Sequence, residues 1–344
     1  MKREKSLAYI AFATVCVVWG TTYLAIRIAI ETLPTFLFTS TRFLLGGGIL
    51  LILSLARGER LPSKRNDYLN LALIGFLLIG VGNLAVVWAE HYVTSGFAAL
   101  MVAIAPFWMA LIEAIRPAGE RITTRKALGM TIGFGGVALL IAPQLNSAQG
   151  YDRNFILGVI ALQIGSIAWQ LGSVRSKYHK IDATPLMAAS IQMISGALVI
   201  GIIGLLRGEA SRFAFNGRTL AAFLYLVIFG SVIAYGAYVY ALSQLSTSTV
   251  SLYAYVNPVV AVVLGWAVLS EPIGWSSLAA MVVIFAGVAM VQTGGGKPAV
   301  VAPEPAVSSL RPGLSDTGSP AATGPRSVPA TTRMEGPASR GITG

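Results

Sequence analysis

Long apolar runs alternate with short polar segments along most of this chain. A helix that crosses the hydrocarbon core of a bilayer needs about 20 mostly apolar residues. Ten runs meet or approach that length, and we predict one transmembrane helix for each: residues 7–26, 36–55, 68–88, 96–115, 127–141, 155–174, 185–206, 220–242, 250–269 and 275–291. The fifth run is the shortest, and Arg125 and Lys126 before it can snorkel and lengthen its effective span. The pattern predicts an all-α polytopic membrane protein.

Residues 293–344 lack this pattern. The segment is rich in Pro, Ala, Ser, Thr and Gly and holds no aromatic side chain. Such a composition buries too little apolar surface to offset the entropy lost on ordering. We predict a disordered tail, for which a solvated extension is the plain interpretation and a regulatory role the alternative.

Basic residues are distributed unevenly between the two sets of loops. If the N-terminus is cytoplasmic, fourteen Lys and Arg lie on that side before the tail and five lie on the other. Short loops rich in Lys and Arg stay on the cytoplasmic side. We therefore predict that both termini, including the tail, are cytoplasmic.

The composition and charge of the chain limit the classes of binding partner that we expect. Hydrophobic residues make up 55% of the chain and charged residues 11%, with a mean hydropathy of +0.72. The net charge of +11 could suggest a nucleic-acid partner, but the basic residues are scattered over the loops as topology signals, so we predict none. We expect the lipid bilayer and a small-molecule substrate as partners, and the sequence leaves the oligomeric state open.

The residues of common enzymes and metal sites are scarce. One cysteine, Cys16, and two histidines cannot build a cysteine cage or an intramolecular disulfide. The glycines at 46–48 lie within an apolar run and precede no Lys-Ser or Lys-Thr, so they are not a phosphate loop. The sequence also offers no arrangement of a catalytic nucleophile with a base. We therefore predict that the protein is not an enzyme and binds no metal or cofactor.

The two halves of the chain resemble one another at an offset of 150 to 152 residues. Matching positions include Trp19 and Trp169, Arg42 and Gln192, Pro106 and Pro258, and Glu120 and Glu271. We predict two five-helix repeats, at 1–143 and 155–292. Because five is an odd number of crossings, the second repeat enters the membrane the opposite way round from the first. Inverted repeats allow two nearly equivalent conformations around a site near the midplane, which is typical of carriers.

Several short segments resemble the EamA-type drug/metabolite transporter family over about residues 7–292. They are VWGTTY at 18–23, STRF at 40–43, VGN at 81–83, AEH at 89–91, and the helix–loop–helix segments at 106–120 and 258–271. The first of those two segments is one residue longer, with Arg116-Pro117 inserted. The resemblance implies a bacterial inner-membrane protein of ten helices in two repeats. It also implies secondary transport of small metabolites or drugs, often outward.

Polar and aromatic side chains inside the apolar runs are the candidate substrate contacts, because each polar group costs free energy in hydrocarbon. Aromatic walls with a few amides could hold an amphipathic or cationic solute, although helix packing and interfacial belts explain some of these residues equally well. The candidates are Trp19, Thr22, Tyr23, Arg42, Asn83, Trp108, Gln163, Trp169, Gln170, Tyr235, Tyr238, Tyr253, Tyr255 and Asn257. Arg42 could bind an anionic group of the substrate, or it could snorkel and pair with Glu31 or a helix C-terminus.

Charged residues near the helix ends have other interpretations. Glu90 and His91 form a possible proton-coupling pair, or else part of a solvated interfacial loop. Glu120 and Glu271 are expected to stabilise loops or helix starts. Pro106 and Pro258 are expected to break the fourth and ninth helices at equivalent places.

The sequence as a whole predicts a secondary transporter, and an exporter, of small metabolites or drugs such as amino acids or related amphipathic solutes. Transport would proceed by alternating access between the two repeats. The alternatives are a channel or a lipid or drug flippase and, less favoured, a membrane enzyme.

Overall fold

The computed structural model describes residues 2–116, 121–145 and 153–294. Glu120 and the tail after residue 294 lie outside the described residues. Within the described ranges the chain forms no strand and ten long helices, each apolar enough to cross a membrane. They are α1 (Lys2–Ala29), α2 (Thr35–Ala56), α3 (Arg65–Ala89), α4 (Ser95–Ala114), α5 (Thr124–Leu145), α6 (Arg153–Tyr178), α7 (Pro185–Leu206), α8 (Gly217–Gln244), α9 (Thr247–Leu269) and α10 (Trp275–Thr293). A 3₁₀ turn at Glu209–Arg212 precedes α8.

Each predicted apolar run corresponds to one of these helices, so the all-α architecture with ten spans is confirmed. The helices extend beyond the runs because polar residues continue the first and last turns, as at Arg153 in α6. The fifth run, the shortest in the sequence, belongs to a 22-residue helix that begins at Thr124. Arg125 and Lys126 are therefore part of α5 rather than of the loop before it.

Four helices are irregular, and the irregularities are paired between the halves. A π-helical segment occupies Phe76–Asn83 in α3 and another occupies Leu226–Ile233 in α8, at an offset of 150 residues. α4 is divided after Val102 and α9 after Val250. π-Helical turns are rare and occur frequently at functional sites. Matching irregularities in helices three and eight, and in four and nine, agree with two repeats of five helices.

The two prolines act differently from one another. Pro106 lies in the first turn after the break in α4, where its missing N–H leaves no hydrogen bond unmade. Pro258 is the sixth residue of the continuous helix Tyr253–Leu269 and lies eight residues after Val250, where α9 is divided. The expectation that both prolines break their helices at equivalent places is therefore wrong for Pro258.

The helices also pack in pairs that are equivalent in the two repeats. α5 packs along α10 and α2 along α7, while α1 contacts α8 and α9 as α6 contacts α3 and α4. Several of these contacts are backbone to backbone at glycine. A Cβ at Gly75 of α3 would clash with the carbonyl oxygen of Gln192 in α7, and one at Gly129 of α5 would lie 2.6 Å from that of Gly287 in α10. Small residues allow such close approach between membrane helices.

Candidate functional site

A cavity lies between the two halves of the helical bundle. It encloses about 670 Å³, including the open space at its mouth. Its walls come from α1, α2, α3 and α4 of the first half and from α6, α8 and α9 of the second: Trp19, Thr22, Tyr23, Ile26, Arg42, Phe43, Gly82, Asn83, Val86, Val102, Gly165, Ser166, Trp169, Gln170, Gly230, Tyr235, Tyr253 and Asn257. About half of these positions fall in the middle third of their helices. The cavity thus reaches the centre of the bundle.

Aromatic rings form one wall of the cavity. The rings of Trp19 and Trp169, which occupy equivalent positions in the two repeats, meet edge to face with centroids 5.3 Å apart. Tyr253 packs on Trp19 at 5.2 Å, also edge to face. The indole N–H of Trp19 donates to the carbonyl oxygen of Gly230 in the π-helical segment of α8 (3.2 Å), which fixes the ring. The wall offers rigid apolar surface that a flat or apolar part of a solute can contact.

Arg42 brings a positive charge to the cavity. Its side chain is only 2% exposed, and its Nε donates to the hydroxyl of Ser231 (3.0 Å) in the same π-helical segment. The guanidinium carbon lies 4.6 Å from the centroid of the Phe43 ring. Nη1 has no hydrogen-bond partner, and no carboxylate among the described residues forms an ion pair with Arg42. Glu31, one partner considered from the sequence, pairs instead with Arg218 at 3.5 Å.

Two further polar atoms at the cavity have no partner. The side-chain oxygen of Asn83, at the end of the π-helical segment of α3, is buried and unpaired, and so is the hydroxyl of Ser166 in α6. Asn257 is satisfied: with its amide oriented to suit its neighbours, the nitrogen donates to the carbonyl oxygens of Cys16 (2.9 Å) and Tyr253 (3.2 Å). Buried polar groups normally have partners, so Asn83 and Ser166 each leave an acceptor available at the cavity.

Ten of the fourteen candidate residues line the cavity, and four do not: Trp108, Gln163, Tyr238 and Tyr255. Trp108 donates to the side-chain oxygen of Gln163 (3.0 Å), so this pair joins α4 to α6 outside the cavity. Tyr238 lies behind the aromatic wall and accepts from the indole of Trp169 (3.1 Å). Tyr255 packs against Phe285, with ring centroids 5.6 Å apart. Residue type alone, whether aromatic or amide, did not distinguish the side chains that line the cavity from those that pack between helices.

The sequence prediction also missed cavity residues, chiefly small and apolar ones. They are Ile26, Phe43, Gly82, Val86, Val102, Gly165, Ser166 and Gly230. Helical spacing offers a way to find some of them, because Ile26 lies one turn after Thr22 on the same face and Val86 lies just under one turn after Asn83. The glycines contribute exposed backbone rather than a side chain.

We call the end of the bundle where α1 ends and α2 begins the outer end. Glu90 lies there, directly after α3, and its side chain is 0% exposed. Burial raises the pKa of the Glu90 carboxyl well above its usual range. The positive charge of Arg27 lowers this pKa, the negative charge of Glu271 raises it further, and the positive charge of Arg42 lowers it. The interpretation of Glu90 as part of a solvated loop is therefore wrong.

His91 differs from its neighbour. Its ring is exposed, and Nε2 lies 2.8 Å from the hydroxyl of Thr35 at the start of α2. Partial burial and the charge of Arg27 lower the pKa of the imidazole. Neither oxygen of Glu90 has a hydrogen-bond partner, so the two side chains do not form a hydrogen-bonded pair.

Glu271 stabilises a helix start, as its position in the sequence suggested. Its carboxylate accepts hydrogen bonds from the backbone N–H groups of Ser95 (3.0 Å) and Gly96 (3.3 Å) and from the hydroxyl of Ser95 (2.9 Å). The helix start concerned is that of α4, in the other repeat. At the opposite end, Glu113 accepts from the hydroxyl of Thr247 (3.1 Å) at the start of α9. Each end of the bundle thus has a carboxylate that ties one repeat to the other.

Comparison with known proteins identifies the family. The family model described as the EamA-like transporter family matches residues 6–142 and 156–293. The uncharacterized inner membrane transporter YedA of Escherichia coli (strain K12) is 37% identical over 281 residues, which cover 81% of this chain and 88% of the relative. The uncharacterized transporter YvbV of Bacillus subtilis (strain 168) is 24% identical over 293 residues, or 84% of this chain and 92% of the relative.

One solved structure shares the fold, with a TM-score of 0.62 and 20% sequence identity over 83% of this chain and 96% of that chain. At that identity the likeness concerns the fold alone. The family model, by contrast, matches once in each half, on either side of the loop between α5 and α6. The chain belongs to the EamA-like transporter family and is a multi-pass membrane transporter.

Proposed function

We propose that this protein is a secondary carrier that moves small amphipathic solutes, such as amino acids, by alternating access between its two repeats. The observation that carries the proposal is the central cavity, to which both repeats contribute and which combines an aromatic wall with a buried, unpaired cation.

The unpaired atoms favour a solute with two kinds of polar group. Arg42 Nη1 can only donate, and it favours an anionic acceptor such as a carboxylate. The oxygen of Asn83 accepts, and the hydroxyl of Ser166 can accept as well, so they suit a donor group on the same solute. A molecule that carries a carboxylate, a donor and an apolar portion would satisfy these atoms and contact the aromatic wall.

The paired carboxylates at the two ends support alternating access. Glu271 ties the start of α4 at the outer end, and Glu113 ties the start of α9 at the opposite end. Releasing one contact while keeping the other would open the bundle on one side only. We also propose that both termini are cytoplasmic in the inner membrane and, from the family resemblance, that the physiological direction is outward.

Counterflow in proteoliposomes tests the carrier proposal. Vesicles containing purified protein are loaded with amino acids, nucleosides, sugars and polyamines, and loss of each compound is followed by mass spectrometry. We expect saturable loss of one compound class, accelerated by the same compound outside, and little loss with Arg42→Gln. A flux that neither saturates nor shows counterflow would favour a channel, and transfer of labelled lipid alone would favour a flippase.

A further inference from the structure

Glu90 carries a carboxyl group that is fully buried and makes no hydrogen bond. Its side chain is 0% exposed, and neither Oε1 nor Oε2 has a partner. The nearest cation does not compensate it by direct contact, because the Arg27 guanidinium donates to the backbone carbonyl oxygen of Glu90 rather than to the carboxylate. A buried, unpaired carboxylate is costly when ionised and far less so when protonated.

Glu90 lies on the face of α3 that lines the cavity. The last turn of α3 continues through residue 90, whose backbone N–H donates to the carbonyl oxygen of Val86 (3.0 Å). Val86 and Asn83 both line the cavity. Residues four and seven apart share one face of a helix, so Glu90 lies directly beyond the cavity wall towards the outer end.

The titratable and charged groups that act on Glu90 come from α1, α2 and the segment after α9. Tyr23 and Arg27 of α1, Arg42 of α2 and Glu271 after α9 all interact electrostatically with its carboxyl. Arg27 and Glu271 also line an open basin at the outer end, together with the exposed His91. Glu90 therefore stands between a basin open to water and the cation of the cavity.

We propose that Glu90 is the proton-binding site of this carrier and that its protonation is coupled to the binding of an anionic group at Arg42. The inference rests on the proposed function. His91 is not part of this site, since it is exposed and its imidazole contacts Thr35.

The sign of the coupling follows from the charges. When the cavity is empty, the positive charge of Arg42 stabilises ionised Glu90. A carboxylate bound at Arg42 neutralises that charge, so Glu90 loses this stabilisation and takes up a proton from the basin. Because coupling between two binding equilibria is reciprocal, protonation of Glu90 strengthens binding of the anionic group.

A carrier with this coupling moves the solute and the proton in the same direction. An inward proton gradient then drives uptake, and export proceeds only when the solute runs down its own gradient. The outward transport that we propose from the family resemblance is then limited to solute that moves down its own gradient.

The first experiment asks whether Glu90 holds a proton, and it requires no substrate. Infrared spectra of the purified full chain are recorded over a pH titration, and the C=O stretch of protonated carboxyl groups is followed. In the natural protein and in Asp182→Asn, which removes an exposed carboxylate, we expect one component of this band to persist to higher pH than the other carboxyl groups. That component should be missing in Glu90→Gln. Identical titrations for the natural protein and Glu90→Gln would overturn the proposal.

The second experiment measures the coupling. The probe is a mixture of the twenty common amino acids, added to protein in weakly buffered solution with a pH-sensitive dye. At a pH above the Glu90 pKa found in the titration, where Glu90 is ionised in the empty protein, we expect net proton uptake by the natural protein and by Asp182→Asn, and none by Glu90→Gln. Above the pKa of Glu90, binding should weaken about tenfold per pH unit in the natural protein, and it should be independent of pH in Glu90→Gln.

The two proposals fail in different ways. Amino-acid counterflow without proton uptake would overturn the coupling and leave the carrier intact. A complete absence of counterflow for every class of compound would overturn the carrier, while the infrared titration still decides whether Glu90 binds a proton.

Discussion

Arg42 in α2 and Gln192 in α7 occupy equivalent positions in the two repeats, yet only Arg42 reaches the cavity. Arg42 donates through Nε to Ser231, whereas the side-chain oxygen of Gln192 accepts from the hydroxyl of Tyr235 (3.0 Å) within the core. Each side chain leaves one buried donor unpaired, Nη1 of Arg42 and Nε2 of Gln192, but only the first carries a charge. The two helices pack along one another. A symmetric scaffold thus carries asymmetric chemistry, with the charge on one side of the pseudo-symmetry only.

The comparison also shows which features the fold itself requires. The π-helical segments recur as a pair because both repeats need the same irregular turns. The buried cation does not recur, and an unpaired buried charge destabilises a membrane helix bundle. The fold does not need the buried guanidinium of Arg42, and burying it costs free energy. Binding of a solute is the best explanation for its presence.

The largest effect is expected from Arg42→Gln, which gives the first repeat the residue found in the second. Loss of a charged hydrogen bond to a bound carboxylate costs about 1.5–3 kcal/mol, so counterflow should fall by about 10- to 150-fold. The melting temperature should rise, because the variant removes an unpaired buried charge. Counterflow and thermal unfolding are measured on the same preparation.

Two variants serve as controls for this result. Arg57→Gln, at the exposed end of the same helix, should leave both quantities unchanged. Gln192→Leu leaves the hydroxyl of Tyr235 unpaired and should lower counterflow less than about fivefold, the kinetic equivalent of about 1 kcal/mol. Equal losses for Gln192→Leu and Arg42→Gln would contradict the asymmetry between the repeats.

Gly75→Ala tests the scaffold shared by the repeats. A methyl group there meets the backbone of α7 and forces α3 away from it, at a cost of about 1–3 kcal/mol. Gly48→Ala provides the matched control, because a Cβ at that position of α2 meets nothing within 4 Å. Thermal unfolding in detergent should separate the two variants, and equal melting temperatures would show that the close approach is unimportant.

Glu271→Gln tests the contact between the repeats at the outer end. The neutral amide accepts more weakly from Ser95 and Gly96, so we expect a loss of about 1–2 kcal/mol and faster hydrogen exchange at the start of α4. Glu31→Gln, which removes a surface ion pair with Arg218, should cost less than about 1 kcal/mol. Unchanged exchange at residues 95–98 in Glu271→Gln would count against the contact.

The smallest effect concerns the pH dependence of stability. Burial raises the pKa of Glu90 in the folded protein above its unfolded value, so folding favours the protonated form. This stabilisation is fully present below the unfolded pKa of about 4.3 and is lost as pH rises through the folded pKa. Glu90→Gln should flatten the fall in melting temperature at rising pH. A parallel curve for the natural protein and the variant would show that Glu90 does not contribute.

The site shows where sequence reasoning reached its limit. Residue type and repeat position were enough to select Trp19, Trp169 and Arg42, which all line the cavity. They were not enough for Trp108 and Tyr255, because an aromatic residue in a membrane helix can face a neighbouring helix as readily as a cavity. The side that each residue faces depends on the rotation of its helix, and the π-helical segments alter that rotation.

The sequence by itself determined the ten helices and their division into two repeats. The length of an apolar run and an offset of about 150 residues are properties of the chain, and the bilayer leaves few alternatives to helices. Tertiary structure alone decided that Glu90 is buried, that Glu271 caps a helix of the other repeat, and that Arg42 keeps a free donor at the cavity. The physical reason is that burial and hydrogen-bond pairing depend on contacts between helices distant in the chain, which neither hydropathy nor spacing encodes.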